Sequence, residues 1–164
     1  MADKFDDTDA QILSLIQNDA TLTVADIAAK VGLSTSPCWR RIKRLEEIGI
    51  IRDRVTLLDR QKLGLDFEVF TAIKLSLPNK ANIRKFELAV ADMPEVMQCA
   101  TVTGAVDFML RIVTKDMHSY EDFLREELLA IDVISDVQSR IVLRESKGSH
   151  RLPLHLIDDE KAKA

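Results

Sequence analysis

Residues 24–48, VADIAAKVGLSTSPCWRRIKRLEEI, hold two short apolar stripes separated by a Gly-Leu break. Ile27, Ala28 and Val31 share one face of a first helix. Cys38, Ile42 and Leu45 recur every three to four positions on a second helix that opens at Ser34. At about 100° per residue, Ser36, Arg40, Lys43 and Arg44 fall on the face opposite that second stripe. A short helix, a glycine turn and a second helix with a free basic face make a helix-turn-helix, which reads DNA through its second helix. Double-stranded DNA is therefore the predicted partner.

The segments before and after complete this unit. Asp6 and Asp9 form a capping arrangement for an opening helix, with Phe5 as a staple outside it, and Thr8, Ile12, Leu13 and Ile16 form its inward stripe. Thr23 and Asp26 repeat the capping pattern for the next helix, and Ser34 is placed to cap the third. Pro37 sits in the first turn of that helix, where the missing N–H is an orphan donor anyway. Gly49 stops it. IIRDRVTLL (50–58) leans towards β structure and is expected as a wing or linking strand. Residues 1–58 are read as the DNA-binding domain, and DRQKLG begins a hinge over 59–66.

The 164-residue chain suits one large or two small domains, and its apolar fraction of 46 % suffices for a core. No apolar run approaches the roughly 20 residues of a membrane span, and MADKFDDTDA is no secretory leader. Cys38 and Cys99 stand 61 positions apart, without a CxxC or Cys/His cluster. That argues against a disulfide framework or zinc site and for a reducing cytoplasm, with no metal or cofactor. Net charge is −4, yet residues 39–54 hold six basic against three acidic side chains. Binding depends on where positive charge sits, so a focused contact by two copies is expected rather than non-specific coating.

Beyond the hinge the periodicity changes. Phe67–Leu75, Val96–Val102, Phe108–Thr114 and Asp136–Leu143 read as strands, Ala81–Asp92 and Met117–Ala130 as helices. Ile83, Phe86 and Val90 point inward from the first helix; Tyr120, Phe123, Leu124 and Leu128 do so from the second. Two β-α-β halves of 36 residues each, Phe67–Val102 and Phe108–Leu143, make a ferredoxin-like βαββαβ unit over 67–145. The fold class is α+β: a winged-helix-like N-terminal domain and a ferredoxin-like C-terminal one. In FMLRIVT both alternating sets carry apolar residues, so the sheet face away from its helices is expected to be covered by a second copy. Residues 146–164 are expected as a tail whose charged end, DDEKAKA, frays.

FDDTDAQIL, VGLSTSPCWRRIKRLEEIGII, the GAVD turn before a strand, and TKDM before the last helix together resemble the Lrp/AsnC (feast/famine) regulators over residues 5–143. The resemblance implies a prokaryotic transcription regulator, a homodimer that in this family often assembles into octamers, and a C-terminal unit that binds a small effector, usually an amino acid. One departure stands out. Between Gly104 and Asp107 the family usually carries an acidic or aromatic residue, and here Ala105 and Val106 are both small. That implies a different effector or a different mode of holding it.

Ser34, Thr35, Ser36, Arg40, Arg41, Lys43 and Arg44 are the DNA candidates. Arg40 is the expected base reader because a guanidinium pairs two-pronged with guanine. Lys43 and Arg44 are expected on phosphates, and the three hydroxyls at the helix N-terminus suit a phosphate too. For Arg41, packing and phosphate contact both stand open; Trp39 is expected in core or interdomain packing. Thr101, Thr103, Gly104 and Asp107 are the effector candidates. Gly104 allows close backbone approach and Asp107 can accept from an ammonium, although a turn glycine with its stabilising Asp is the plainer reading. By the resemblance, Met117, Ile141 and Val142 lie nearby. Cys38 and Cys99 read as small core residues, and the three histidines share no ligand spacing.

No phosphate loop, paired carboxylates or nucleophile-base pattern appears, so an enzyme on the ferredoxin-like unit is disfavoured. A helix-turn-helix used only for protein contacts is the other alternative. The expected function is sequence-specific DNA binding, cytoplasmic and nucleoid-associated, biased by a small metabolite.

Overall fold

The computed structural model describes residues 5–157, which divide into two compact units. Residues 5–56 and 147–157 form one, and Leu57–Ser146 the other.

Three helices make the N-terminal unit: α1 (Asp7–Asn18), α2 (Val24–Val31) and α3 (Thr35–Glu47). Their starts follow from reciprocal caps. The Asp9 N–H donates to Asp6 Oδ1 at 2.9 Å and the Asp6 N–H to Asp9 Oδ2 at 3.1 Å. Thr23 and Asp26 repeat the exchange at 3.0 and 3.2 Å, so both expected capping pairs are present. Gly32 ends α2 with φ +71°, a left-handed conformation that favours glycine. Ser34 occupies the N-cap position of α3, but its side chain makes no capping hydrogen bond. The core joins Ile12, Leu13, Ile27, Ala28, Cys38, Ile42 and Leu45, with Phe5, Ile51 and Leu154 packed against its edges.

Two expectations are corrected here. Residues 52–58 join no strand ladder, because within one chain nothing pairs with their backbone; Val55, Leu57 and Leu58 stand exposed. The segment after residue 146 is no free tail over 147–157. Gln17 of α1 receives the Leu152 N–H at 3.0 Å and donates to the Leu152 carbonyl at 3.1 Å. Leu154, in a short 3-10 turn (Leu154–Leu156), joins the helical core. The charged end expected to fray, residues 158–164, lies outside the described residues.

The second unit is a four-stranded antiparallel sheet in the order β2-β3-β1-β4, made of β1 (Phe67–Leu75), β2 (Val96–Thr101), β3 (Phe108–Thr114) and β4 (Ile134–Ile141). Helices α4 (Lys80–Ala91) and α5 (Met117–Phe123) supply the crossovers; α5 runs on through a wider π turn at Leu124–Leu128 in place of the regular helix expected to Ala130. Val69, Ile73, Phe108, Leu110 and Ile112 of the central strands pack with Phe86, Val90, Tyr120, Phe123 and Leu128 of the helices. β4 begins two residues earlier than its alternation suggests, since a bulge between Lys74 and Leu75 shifts the ladder there. Cys38 is buried as expected, whereas Cys99, on the edge strand, is exposed.

Candidate functional site

Helix α3 turns Cys38, Ile42 and Leu45 into the core and leaves Ser34, Thr35, Ser36, Arg40 and Lys43 exposed. Trp39 is half exposed, at 50 %, rather than packed in the core. The four cations of residues 40–44 are not equivalent. Arg41 donates to Asp6 at 2.7 Å and to Asp9 at 2.9 Å, and Arg44 pairs with the other oxygen of Asp9. Lys43 contacts Glu46 at 2.7 Å, a carboxylate it shares with Arg54 at 3.2 Å. Arg40 alone of the four makes no ion pair among the described residues.

Arg44 therefore departs from its expected place on the phosphate-facing side: only 18 % of its side chain is exposed, turned to a carboxylate that is fully buried. The capping role of Asp9 does not by itself signal its burial, since a cap can stand in solvent. Its position one turn before Ile12 and Leu13, on their stripe, was the available signal. Asp6 feels burial pushing its carboxyl up, but the Asp9 N–H and the Arg41 guanidinium outweigh that and hold it below the usual range. The Arg41 guanidinium is pushed up by its hydrogen bonds to Asp6 and Asp9, so both groups stay charged.

In the second unit the β2–β3 turn is built on Gly104, at φ +125°. Asp107 fastens it: its Oδ2 accepts the Leu75 N–H at 2.8 Å, its own N–H reaches the Ile73 carbonyl at 2.9 Å, and its carbonyl accepts from Val102 at 3.0 Å. Beside this turn, on the sheet face away from the helices, lies a concavity of about 690 Å³. Phe70, Met109, Ala105 and Val106 give it an apolar lining; Lys74, Asp136, Gln138 and Arg140 make it polar; Ile141 and Val142 close one end. Of the expected effector residues, only Ile141 and Val142 line it. Thr101, Thr103 and Gly104 are exposed without lining it, Asp107 is engaged by backbone, and Met117 is 66 % exposed at the start of α5. Lys74, Asp136 and Arg140 were missed, although period-two spacing puts them opposite the core residues Ile73 and Val137. Among the described residues no His/Cys/Asp/Glu group is arranged to hold a metal.

Residues 5–52 match a family model described as winged helix-turn-helix DNA-binding, and residues 68–152, just over half the chain, match the Lrp/AsnC ligand binding domain. The chain belongs to the Lrp/AsnC family. It is 38 % identical over 160 residues to the glutamate uptake regulatory protein of Zymomonas mobilis, covering 98 % of this chain and 97 % of that protein. An AsnC family transcriptional regulator from Agrobacterium tumefaciens superposes with a TM-score of 0.88 at 40 % identity, over 93 % of this chain and 100 % of that one. A Neisseria meningitidis transcriptional regulator, in complex with L-Met, gives 0.88 at 35 % identity, over 93 % and 99 %. Like these Lrp/AsnC relatives, the protein is a transcription regulator, with a DNA-binding unit and a ligand-binding unit. The expected fold class and family hold. No helix among the described residues is long and apolar enough to cross a membrane.

Proposed function

We propose that the protein reads a two-fold DNA site through a pair of α3 helices, and that a free amino acid biases this binding. The observation that carries the DNA half is the outer face of α3: Arg40 stands exposed and without a carboxylate partner among the described residues, beside Ser36 and Lys43, on a helix fixed by its opposite face. Arg40 reads a base edge; Lys43, once it exchanges Glu46 for a phosphate, and the hydroxyls of Ser34, Thr35 and Ser36 hold the backbone. The effector half is supported by the charges around the sheet concavity, where Lys74 and Arg140 suit a carboxylate and Asp136 an ammonium. Relatives named for glutamate or bound to L-Met point to the same ligand class. The GAVD turn and Met117 flank the effector region by family analogy. A second copy covers the open sheet face; that dimer presents two recognition helices, and four such dimers make the octamer that is the family's further assembly. Its place is the cytoplasm, on the nucleoid.

One binding experiment tests both halves. A labelled duplex selected by the protein from a random library is titrated at rising salt, with and without each of the twenty amino acids. Binding is expected to weaken steeply with salt, to fall by about tenfold or more in Arg40→Ala, and to shift with a subset of amino acids. An Arg40→Ala protein that is folded and binds equally well overturns the role of α3; indifference to all twenty overturns the amino-acid effector.

A further inference from the structure

The recognition helix carries two arginines that its DNA-facing role does not absorb. Arg41 and Arg44 lie three positions apart, about 60° from each other around the helix axis. Both reach inward to the same side chain, Asp9 of α1, whose two oxygens are shared between them: Oδ1 to Arg41 at 2.9 Å and Oδ2 to Arg44. Asp9 is fully buried, and its Oδ2 also accepts the Asp6 N–H, so the carboxylate is itself held in the first turn of α1. Arg41 is tied a second time, to Asp6 at 2.7 Å. The apolar stripe of Cys38, Ile42 and Leu45 fixes α3 on the core by packing, and the ion pairs add a constraint of a different, directional kind. A roll of α3 strains these contacts against a carboxylate that is buried and held in α1.

We infer that Asp9 is a positioning residue for DNA reading: by holding Arg41 and Arg44 off the DNA it fixes the rotation of α3 that aims Arg40 at the bases. This rests on α3 being the DNA-reading helix. On this reading Asp9 touches no nucleotide, yet it sets how well one sequence is told from another. It also lowers affinity for DNA in general, since it withdraws two cations that would find phosphates on any duplex.

The test uses the full chain and two duplexes of equal length, one selected from a random library by the wild-type protein and one scrambled. In Asp9→Asn, affinity for the selected duplex is expected to fall by about tenfold or more while affinity for the scrambled duplex holds or rises. The slope of log affinity against log salt should steepen by about one for each arginine that reaches a phosphate. Arg44→Gln keeps Asp9 paired with Arg41 and decides the matter should Asp9→Asn fail to fold. It is expected to cost selected-duplex affinity and leave scrambled-duplex affinity and the salt slope unchanged. A residue that merely stabilises the fold would move the unfolding temperature and not the ratio between duplexes. The inference is overturned if Arg44→Gln weakens both duplexes alike and flattens the salt slope by about one, since Arg44 would then be a phosphate contact. It is equally overturned if the ratio is unchanged in every folded variant. A wild-type protein that enriches no duplex would instead remove the DNA-reading function on which the inference stands.

Discussion

Asp26 shows at one residue how a helix start becomes a pH-dependent stability. Its carboxylate accepts from the Thr23 hydroxyl at 2.6 Å and from the Thr23 N–H at 3.0 Å. The hydroxyl first and the N–H second hold its carboxyl below the ordinary range. Because the folded state binds a proton less readily than the unfolded chain, stabilisation is complete above the unfolded pKa and is lost as pH falls through the folded one. Thermal unfolding followed from neutral pH to about pH 3 should show Asp26→Asn below wild type at neutral pH, with the gap closing in acid. A constant gap would mean that the carboxylate's charge contributes nothing. Caps were legible in the sequence at this scale because their partners are three residues apart. Asp9 was legible as a cap and illegible as an anchor, since Arg41 and Arg44 are more than thirty positions away. Lys74, Asp136 and Arg140 were hidden likewise: their concavity exists only once β1 and β4 pair.

Among the elements, α1 to α5 and all four strands could be read from periodicity, because each has one face in a core that repeats every two or 3.6 residues. Failures came where no repeat operates. Residues 50–58 have β-leaning side chains but no neighbouring strand, and propensity without a ladder makes no strand. Residues 147–157 have no periodic stripe at all. Among the described residues, the Gln17 amide pairs with the Leu152 backbone and Leu154 packs against the helical core. Leu154→Asp would set an unpaired charge against the core of Ile12 and Leu45, at an expected cost of about 1–3 kcal/mol to the N-terminal unit. Denaturant unfolding, with hydrogen exchange on α1, reads it. Unchanged protection at the C-terminal end of α1 would show that the segment adds nothing to the helices.

At the scale of the molecule, each unit has its own core, and the sheet leaves one face unfinished. On that face Glu68, only 3 % exposed, is clasped by Arg111 at 2.5 Å and Arg60 at 2.9 Å, so its charge is satisfied within the chain. Phe70, two residues on, is not provided for: it is 40 % exposed, beside Met109. If a second copy covers this face, Phe70→Glu should shift the protein from dimer to monomer at micromolar concentration in sedimentation experiments, by placing a charge where apolar area would be buried. A variant that sediments as wild type would put the subunit contact elsewhere.

Leu154 packs against the edge of the core of a unit whose helices begin at Asp7. During synthesis those helices leave the ribosome before the leucine that packs against them has been translated, since it lies roughly a hundred residues beyond the end of α3. The contact between Leu154 and the helices can therefore form only after the strands of the sheet have been translated. A chain that stops short of residue 154 holds all three helices but not the leucine packed against the edge of their core.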